Sequence, residues 1–200
     1  MKRVCLGPTN LLKRIEKSKS NNTATPTSVQ ISNGIPAGSI SCIELGANEN
    51  ELLVTLSNFG LTSVWYSDNG GASWSNKEGN LPDMPIRWAL FNPNDRDEVI
   101  LATDLGAWGC DNFSSASPDW QASNSGFANV RVDMFQIRSS DNQVAAATYG
   151  RGLFTSDAFQ QAANTYDAGV TQILQPGSNI CDTSIQPKVI IKNYGDSTMT

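Results

Sequence analysis

The sequence contains no histidine, few charged residues and no long apolar run. Without histidine the chain has no Ser–His or Cys–His catalytic pair, no histidine metal ligand and no imidazole pH switch. Charged residues make up 16% of the 200 residues. The longest apolar stretches are far shorter than the roughly 18 residues that a membrane-spanning helix needs. These shortages exclude several enzyme mechanisms and predict that no segment spans a membrane.

The charges are unevenly spread along the chain. Residues 1–20 hold six Lys and Arg residues against one Glu, whereas the whole chain has a net charge of −5. An acidic body disfavours nucleic-acid binding, which depends on clustered Lys and Arg. The basic start is interpreted as a solvated surface, and a nucleic-acid or lipid patch is the alternative.

The four cysteines are Cys5, Cys42, Cys110 and Cys181, and no two of them form a C-x-x-C pair. The sequence therefore predicts no zinc site, no other metal site and no cofactor. Free buried thiols and one or two disulfides both remain open. The apolar run near the start is too short for a signal peptide, so the chain is interpreted as cytoplasmic or as an internal piece of a longer precursor.

Serine, asparagine and glycine are abundant, and these residues favour turns. The five Trp, seven Phe and four Tyr are too many for a disordered polar chain. This composition predicts an all-β fold of short strands joined by many turns.

A repeat of 46 residues runs through the chain. The landmarks at this step are Trp74 and Trp120, Leu81 and Phe127, Trp108 and Phe154, and the glycines Gly60, Gly106 and Gly152. Each unit has the pattern of an alternating strand, a smaller apolar strand and two further strands, separated by polar turns. Four strands in about 40–50 residues is the period of a β-propeller blade. We therefore predict a partial β-propeller of about three four-stranded blades.

The smaller strand of each unit is expected to lie nearest the central channel, because small side chains suit a crowded position. Residues 4–32 are predicted to be the end of an earlier blade, with strands at 4–7, 11–15 and 28–32. Three blades and a fragment are too few to close a propeller. We therefore expect the chain to be a piece of a longer protein whose remaining blades lie upstream.

Residues 67–74 read Ser-Asp-Asn-Gly-Gly-Ala-Ser-Trp. This stretch resembles the Asp-box, or bacterial neuraminidase repeat, at Ser67, Asn69, Gly71, Ser73 and Trp74, with asparagine where aspartate is usual. The Asn side chain can accept backbone N–H bonds in a hairpin loop, Gly permits a positive φ, and Trp reaches between sheets. The resemblance implies that these residues support the fold at the periphery of a blade.

Residues 147–154, Ala-Thr-Tyr-Gly-Arg-Gly-Leu-Phe, resemble the last blade of the Asp-box propellers found in sortilin-like domains and xyloglucan-active glycoside hydrolases. The tail resembles the start of an immunoglobulin-like, adhesion-type module of secreted bacterial proteins. These likenesses divide the chain into propeller blades at 1–157, a linker at 158–166 and a truncated β-sandwich at 167–200. They also imply an extracellular or cell-surface location.

The candidate ligand-binding residues are those that the repeat places near one mouth of the channel. Asp104 and Arg151 each follow the smaller strand of their unit, and Arg151 lies between two glycines that permit close approach of a ligand. An ion pair with a neighbouring blade is the alternative for Arg151. Tyr149 and Trp108 are candidates for stacking on sugar rings, and packing between sheets is their alternative.

The leading interpretation is a non-catalytic scaffold or binding domain of a larger extracellular protein, with a glycan or protein ligand at the propeller mouth. The alternative is a fragment of a secreted glycoside hydrolase. Such hydrolysis needs two facing carboxyl groups, and only Asp104 can be nominated, so no catalytic residue is assigned. Sialidase chemistry is disfavoured because residues 84–87, Met-Pro-Ile-Arg, do not match the Arg-Ile-Pro motif of those enzymes.

Overall fold

The computed structural model describes residues 3–6, 15–19, 27–126, 128–160, 168–175 and 188–193. Within these ranges every regular element is a β-strand and every strand pairing is antiparallel, which confirms the all-β prediction. The described residues include no helix that is long and apolar enough to cross a membrane. The chain divides into two units, Met1–Phe159 and Gln160–Thr200.

The first unit contains four antiparallel sheets in which consecutive strands are neighbours. The first sheet has strands β1 (Arg3–Leu6), β2 (Ile15–Lys19) and β3 (Thr27–Gln30). Blade 1 has β4 (Ile40–Leu45), β5 (Leu52–Leu56), β6 (Val64–Ser67) and β7 (Ser75–Asn76). Blade 2 has β8 (Ile86–Phe91), β9 (Val99–Thr103), β10 (Gly106–Cys110) and β11 (Gln121–Ala122). Blade 3 has three described strands, β12 (Val132–Ile137), β13 (Val144–Thr148) and β14 (Gly152–Ser156).

The first sheet differs in detail from its prediction. The middle strand was expected at 11–15, but β2 begins at Ile15, and residues 11–14 lie outside the described ranges. The position of β2 follows from its two partners, because it pairs with β1 on one side and with β3 on the other. The apolar residues at 11–15 suggested a strand there, but they do not show which residues pair with both β1 and β3.

The inner strand of each blade is the first one. Strand β4 packs against β8, and β8 packs against β12, so the first strands of successive blades lie closest together. The prediction that the smaller second strand lies nearest the channel is therefore wrong. All five residues of β5 are buried. This strand has a neighbour on each side in its own sheet and packs against β8 of blade 2. Such burial requires apolar side chains without placing the strand at the channel.

Each first strand has a bulge at the same position of the repeat. The register shifts between Ile40 and Cys42, between Ile86 and Trp88, and between Val132 and Met134. The residues left without a partner in the ladder are Ser41, Arg87 and Asp133, which are 46 residues apart. A bulge bends its strand and redirects a side chain. The fold thus directs one polar side chain per blade out of the regular pattern.

Apolar clusters fill the seams between successive sheets. The seam between blades 1 and 2 includes Trp120, which is 1% exposed, and four aromatic rings meet edge to face there. The seam between blades 2 and 3 includes Phe159, which is fully buried. Phe113 and Phe159 are 46 residues apart and both are buried, so the repeat extends beyond residue 157 into the segment predicted as a linker.

The thiols of Cys42 and Cys110 are free and buried. Burial raises the pKa of each of them to about 12, so both remain protonated and unreactive at neutral pH. The side chains of Cys5 and Cys181 lie outside the described residues.

The described part of the second unit is a two-stranded antiparallel ribbon of β15 (Ala168–Gln175) and β16 (Lys188–Asn193). Large apolar side chains on it are exposed, among them Val170, Ile173, Ile190 and Ile191. Its assignment to an immunoglobulin-like sandwich stays a prediction.

Candidate functional site at the propeller mouth

One backbone hydrogen bond closes the same end of all three blades. The residue directly after the second strand donates its N–H to the carbonyl of the residue directly before the first strand: Ser57 to Ser39 (2.9 Å), Asp104 to Pro85 (3.3 Å) and Tyr149 to Arg131 (2.8 Å). The bulged residue of the first strand lies two positions further on, at this same end. Because the first strands are the inner ones, their ends border the central channel. We therefore call this end of the blades the mouth end.

The side chains at the mouth end differ from blade to blade. In blade 1 the equivalent residues are three serines, and Ser41 bonds to the carbonyl of Ile86 in the next blade at 2.6 Å. Blades 2 and 3 carry charged and aromatic side chains instead. We call the mouth cluster the group formed by Arg87, Asp104, Arg131, Asp133, Tyr149 and Arg151.

Arg87 and Asp104 form an ion pair across the mouth end of blade 2. Arg87 Nε donates to Asp104 Oδ1 at 2.8 Å, and Nη2 donates to Oδ2 at 3.3 Å. Both side chains are about one-third exposed, at 31% and 28%. The hydrogen bonds that Arg87 donates to Asp104 raise the pKa of Arg87, and the charge of Asp133 in the next blade adds to the increase. The two blades that carry these pairs are adjacent, because β8 packs against β12.

Arg131 links an aspartate and an aromatic ring in blade 3. Its Nε lies 2.8 Å from Asp133 Oδ1, and its Nη2 donates to Oδ2 at 3.3 Å. The guanidinium carbon lies 4.2 Å from the centre of the Tyr149 ring, which is cation–π contact. The Nε atom is buried and faces Asp133 rather than solvent. Arg131 thus orders both neighbours.

Arg151 lies at the tip of the turn after β13. It is exposed and sits between Gly150 (φ 76°) and Gly152 (φ 85°), both in the left-handed region that favours glycine. No described side chain forms an ion pair with it. The alternative considered for this residue, an ion pair with a neighbouring blade, is not seen within the described part of the chain.

Trp108 is separate from the mouth cluster. It lies in β10 opposite Leu101 and Ala122, and its half-buried ring packs against the seam between blades 1 and 2. Its indole N–H is buried and has no acceptor among the residues that the structure describes. The structure therefore places Trp108 in the packing between sheets, and Asp104, Tyr149 and Arg151 at the mouth end.

The loop from Ser67 to Trp74 joins two outer strands of blade 1. Ser67 Oγ accepts the N–H of Gly71 at 2.9 Å, and Asn69 Oδ1 accepts the N–H of Ser73 at 2.9 Å. Asn69 Nδ2 also donates to Ser73 Oγ at 2.7 Å. Trp74 Nε1 donates to the carbonyl of Ile31 in the preceding sheet at 2.7 Å. These bonds stabilise the loop and connect it to the preceding sheet.

Gly71 shows why this loop needs a glycine. Its φ is 85°, and an added Cβ would lie 2.7 Å from the Ile31 side chain. A larger residue would therefore meet both backbone strain and a buried neighbour.

Glu44 is a partly buried carboxyl group in blade 1, at the end of β4 away from the mouth end. Burial raises the pKa of Glu44 to about 7, and the charge of Arg96 offsets part of the increase. Arg96 also lies 3.8 Å from Glu51, whose other oxygen accepts the Tyr66 hydroxyl at 3.4 Å. Across the described ranges no three His, Cys, Asp or Glu side chains meet as metal ligands.

Sequence reasoning missed Arg87, Arg131 and Asp133. The signal was present in the repeat, since residues 41, 87 and 133 share one position at the 46-residue step and all three are polar. Nothing in the sequence marks that position as a bulge. The bulge, and the place of these residues at the mouth end, became visible only in the pairing of the strands.

No family model matches the chain, and no curated protein is similar to it in sequence. Among solved structures, the chain is similar to a GH74 enzyme of Niastella koreensis, with a TM-score of 0.52 and 14% identity, covering 69% of this chain and 22% of that one. It is also similar to the GH74 xyloglucanase of Xanthomonas campestris, with a TM-score of 0.51 and 10% identity, covering 76% of this chain and 27% of that one. This chain therefore spans about a quarter of the length of these enzymes. At such identities the likeness shows the fold alone, and together with the four-stranded sheets it confirms the prediction of a partial β-propeller.

Proposed function

We propose that the first unit is a non-catalytic propeller domain of a larger extracellular protein and that it binds a glycan at the mouth cluster. The observation that carries this proposal is the pair of Arg–Asp ion pairs and one exposed tyrosine at the mouth ends of the adjacent blades 2 and 3. The extracellular location rests on the resemblance to secreted Asp-box proteins.

The chemistry of the mouth cluster suits a polyhydroxylated ligand. Guanidinium groups donate hydrogen bonds and carboxylates accept them, so the Arg87–Asp104 and Arg131–Asp133 pairs together match both functions of a sugar hydroxyl. These side chains are only partly exposed, which limits their movement before binding. Tyr149 is 67% exposed, and Arg131 covers one face of its ring, so the other face is available for a sugar ring.

The same geometry argues against hydrolysis within this cluster. A glycosidase needs one carboxyl group to donate a proton and a second to act as base or nucleophile. Asp104 and Asp133 are each held by an arginine at 2.8 Å. Neither is arranged as a proton donor toward a ligand.

A fragment of a glycoside hydrolase is the second candidate function. The specific observation in its favour is the similarity of fold to the two GH74 enzymes. In that case the catalytic carboxylates would come from parts of a longer protein outside this chain.

Glycan-array screening followed by isothermal titration calorimetry tests the proposal. We expect Tyr149→Ala and Asp104→Asn each to weaken binding about tenfold, because each removes a stacking or hydrogen-bonding group. Arg138→Ala is the matched control, since Arg138 is exposed, belongs to the same blade and lies at the opposite end of β12. The melting temperature should stay nearly unchanged in all three variants.

Three results would overturn the proposal. They are the absence of any glycan that binds, equal binding by the wild type and both mouth variants, or a protein ligand that competes at these residues. Release of reducing ends from an oligosaccharide by a longer protein that contains this chain, and not by this chain alone, would favour the hydrolase fragment instead.

A further inference from the structure

Hydrogen-bond donors and positive charge exceed acceptors and negative charge in the mouth cluster. The cluster has three arginines and two aspartates, although the chain as a whole has a net charge of −5. Asp104 is committed to Arg87, and Asp133 to Arg131. Arg151 therefore has no carboxylate left in the cluster to neutralise it.

The uncommitted positive charge lies in blade 3. Arg151 is exposed and has no ion-pair partner in the part of the chain that the structure describes. The Tyr149 N–H is bonded to the carbonyl of Arg131, and the Tyr149 ring stacks on its guanidinium, so the turn that carries Arg151 is held beside Arg131.

The turn that presents Arg151 is short and well defined. Its flanking glycines both have positive φ, and Thr148 Oγ1 donates to the Gly152 carbonyl at 2.7 Å across its base. A planar guanidinium on such a turn can donate two parallel hydrogen bonds to a carboxylate, which a neutral hydroxyl cannot accept in the same way.

We propose that the glycan bound at the mouth cluster is acidic, and that the carboxylate of a uronic-acid residue is held by Arg151 beside the Arg131–Tyr149 pair. This inference rests on the proposed function, because it names the class of ligand for the same site. It assigns Arg151 as the residue that selects charge, and the two Arg–Asp pairs as contacts to neutral hydroxyls.

A matched pair of ligands tests the charge directly. Oligogalacturonate and its methyl ester have the same sugar rings and linkages and differ in the charge of the carboxyl group. Calorimetric titration should show tighter binding of the acid by on the order of tenfold, the value of one charge-assisted hydrogen-bonded contact. Added salt should weaken binding of the acid more than that of the ester.

Variants of Arg151 give the second arm of the test. Arg151→Ala should remove the preference for the acid, and Arg151→Lys should keep part of it, because a lysine retains the charge but not the planar fork. Arg138→Ala should leave the preference unchanged, which excludes a general effect of net charge.

The outcomes separate this inference from the proposed function. Equal binding of the acid and the ester, or an unchanged preference in Arg151→Ala, overturns the acidic ligand while the glycan site stands. If only neutral glycans bind, and Tyr149→Ala abolishes that binding, the acidic ligand is again overturned and the glycan site stands. Failure of every glycan to bind overturns both.

Discussion

The indole Nε1 of Trp120 donates a hydrogen bond to the backbone carbonyl of Lys77 at 3.0 Å. Trp74 makes the same contact with the carbonyl of Ile31 at 2.7 Å, and in both cases the donor lies 43 residues after the acceptor. Each bond connects the hairpin before a fourth strand to the preceding sheet. Successive sheets are therefore joined by one recurring contact.

Replacement of Trp120 should destabilise the first unit strongly. Trp120 is 1% exposed in the seam between blades 1 and 2, so Trp120→Ala should lower the free energy of unfolding by about 3–5 kcal/mol. Trp74 is half-buried, and Trp74→Ala should cost less. Urea unfolding followed by circular dichroism measures both. A smaller loss for Trp120→Ala than for Trp74→Ala would contradict this account.

Lys77 should be essential for the loop between β10 and β11. Its ammonium group is buried and donates to the carbonyls of Phe113 at 2.9 Å and Ser115 at 2.6 Å. Burial lowers the pKa of Lys77. If the ammonium group is removed, the carbonyls of Phe113 and Ser115 lose the hydrogen bonds that it donates. Lys77→Met should cost about 2 kcal/mol or more of unfolding free energy. Faster amide exchange within residues 111–120 would locate the effect, and unchanged exchange there would refute it.

The stability of blade 1 should depend on pH through Glu44. Its pKa is about 7 in the folded protein and 4.5 ordinarily, because burial disfavours the charged carboxylate. Deprotonation as the pH rises from about 4.5 through 7 therefore lowers stability, and the loss is complete above 7. Glu44→Gln should raise the melting temperature at about pH 8 and leave it unchanged at about pH 4.

Asp68→Asn provides the control for that experiment. Asp68 is exposed in the same blade, so its replacement should not reproduce the gain at high pH that burial of Glu44 predicts. An equal gain from both variants at high pH would mean that overall charge, rather than burial of Glu44, is responsible.

Asn69→Asp should be tolerated and modestly stabilising at neutral pH. The side-chain oxygen of Asn69 already accepts the N–H of Ser73 and the hydroxyl of Ser67, and a carboxylate would strengthen both bonds by its charge. The Ser73 hydroxyl can rotate to donate in place of the lost amide donor. We expect a gain of about 0.5–1 kcal/mol that disappears when the carboxyl group is protonated near pH 3. A loss of stability at neutral pH would be inconsistent with the observed bonding.

The sequence predicted the units of this fold better than their arrangement. The 46-residue step of Trp74 and Trp120 identified the sheets, because each needs one large aromatic side chain at the same place. The step of Gly60, Gly106 and Gly152 was less uniform. Gly106 and Gly152 open the third strands, whereas Gly60 lies in the longer connection before β6. In blade 1 the connection at 57–63 is longer than its counterpart in blade 2, and the connection at 68–74 is shorter. The two differences nearly cancel, so the 46-residue repeat does not reveal them.

The candidate site was only partly predictable for a similar reason. Asp104 and Tyr149 were identified because they directly follow a strand, which is a local property. Arg87 and Asp133 lie within strands, and their orientation depends on a bulge formed by pairing with the next strand. The bulge appears only in the register between the two strands, where Ile86 lies opposite Thr103 and Trp88 opposite Ala102, so the residues of one strand do not identify it.

Because the bulged residues take no part in the strand ladder, substitutions there need not disturb the backbone that surrounds them. Serine, arginine and aspartate already occupy the equivalent positions 41, 87 and 133 on closely similar frames. The fold thus separates positions at which the three units differ from those that maintain the strand pairing. A combinatorial library restricted to positions 87 and 133, displayed on phage, would sample many recognition chemistries from a single scaffold.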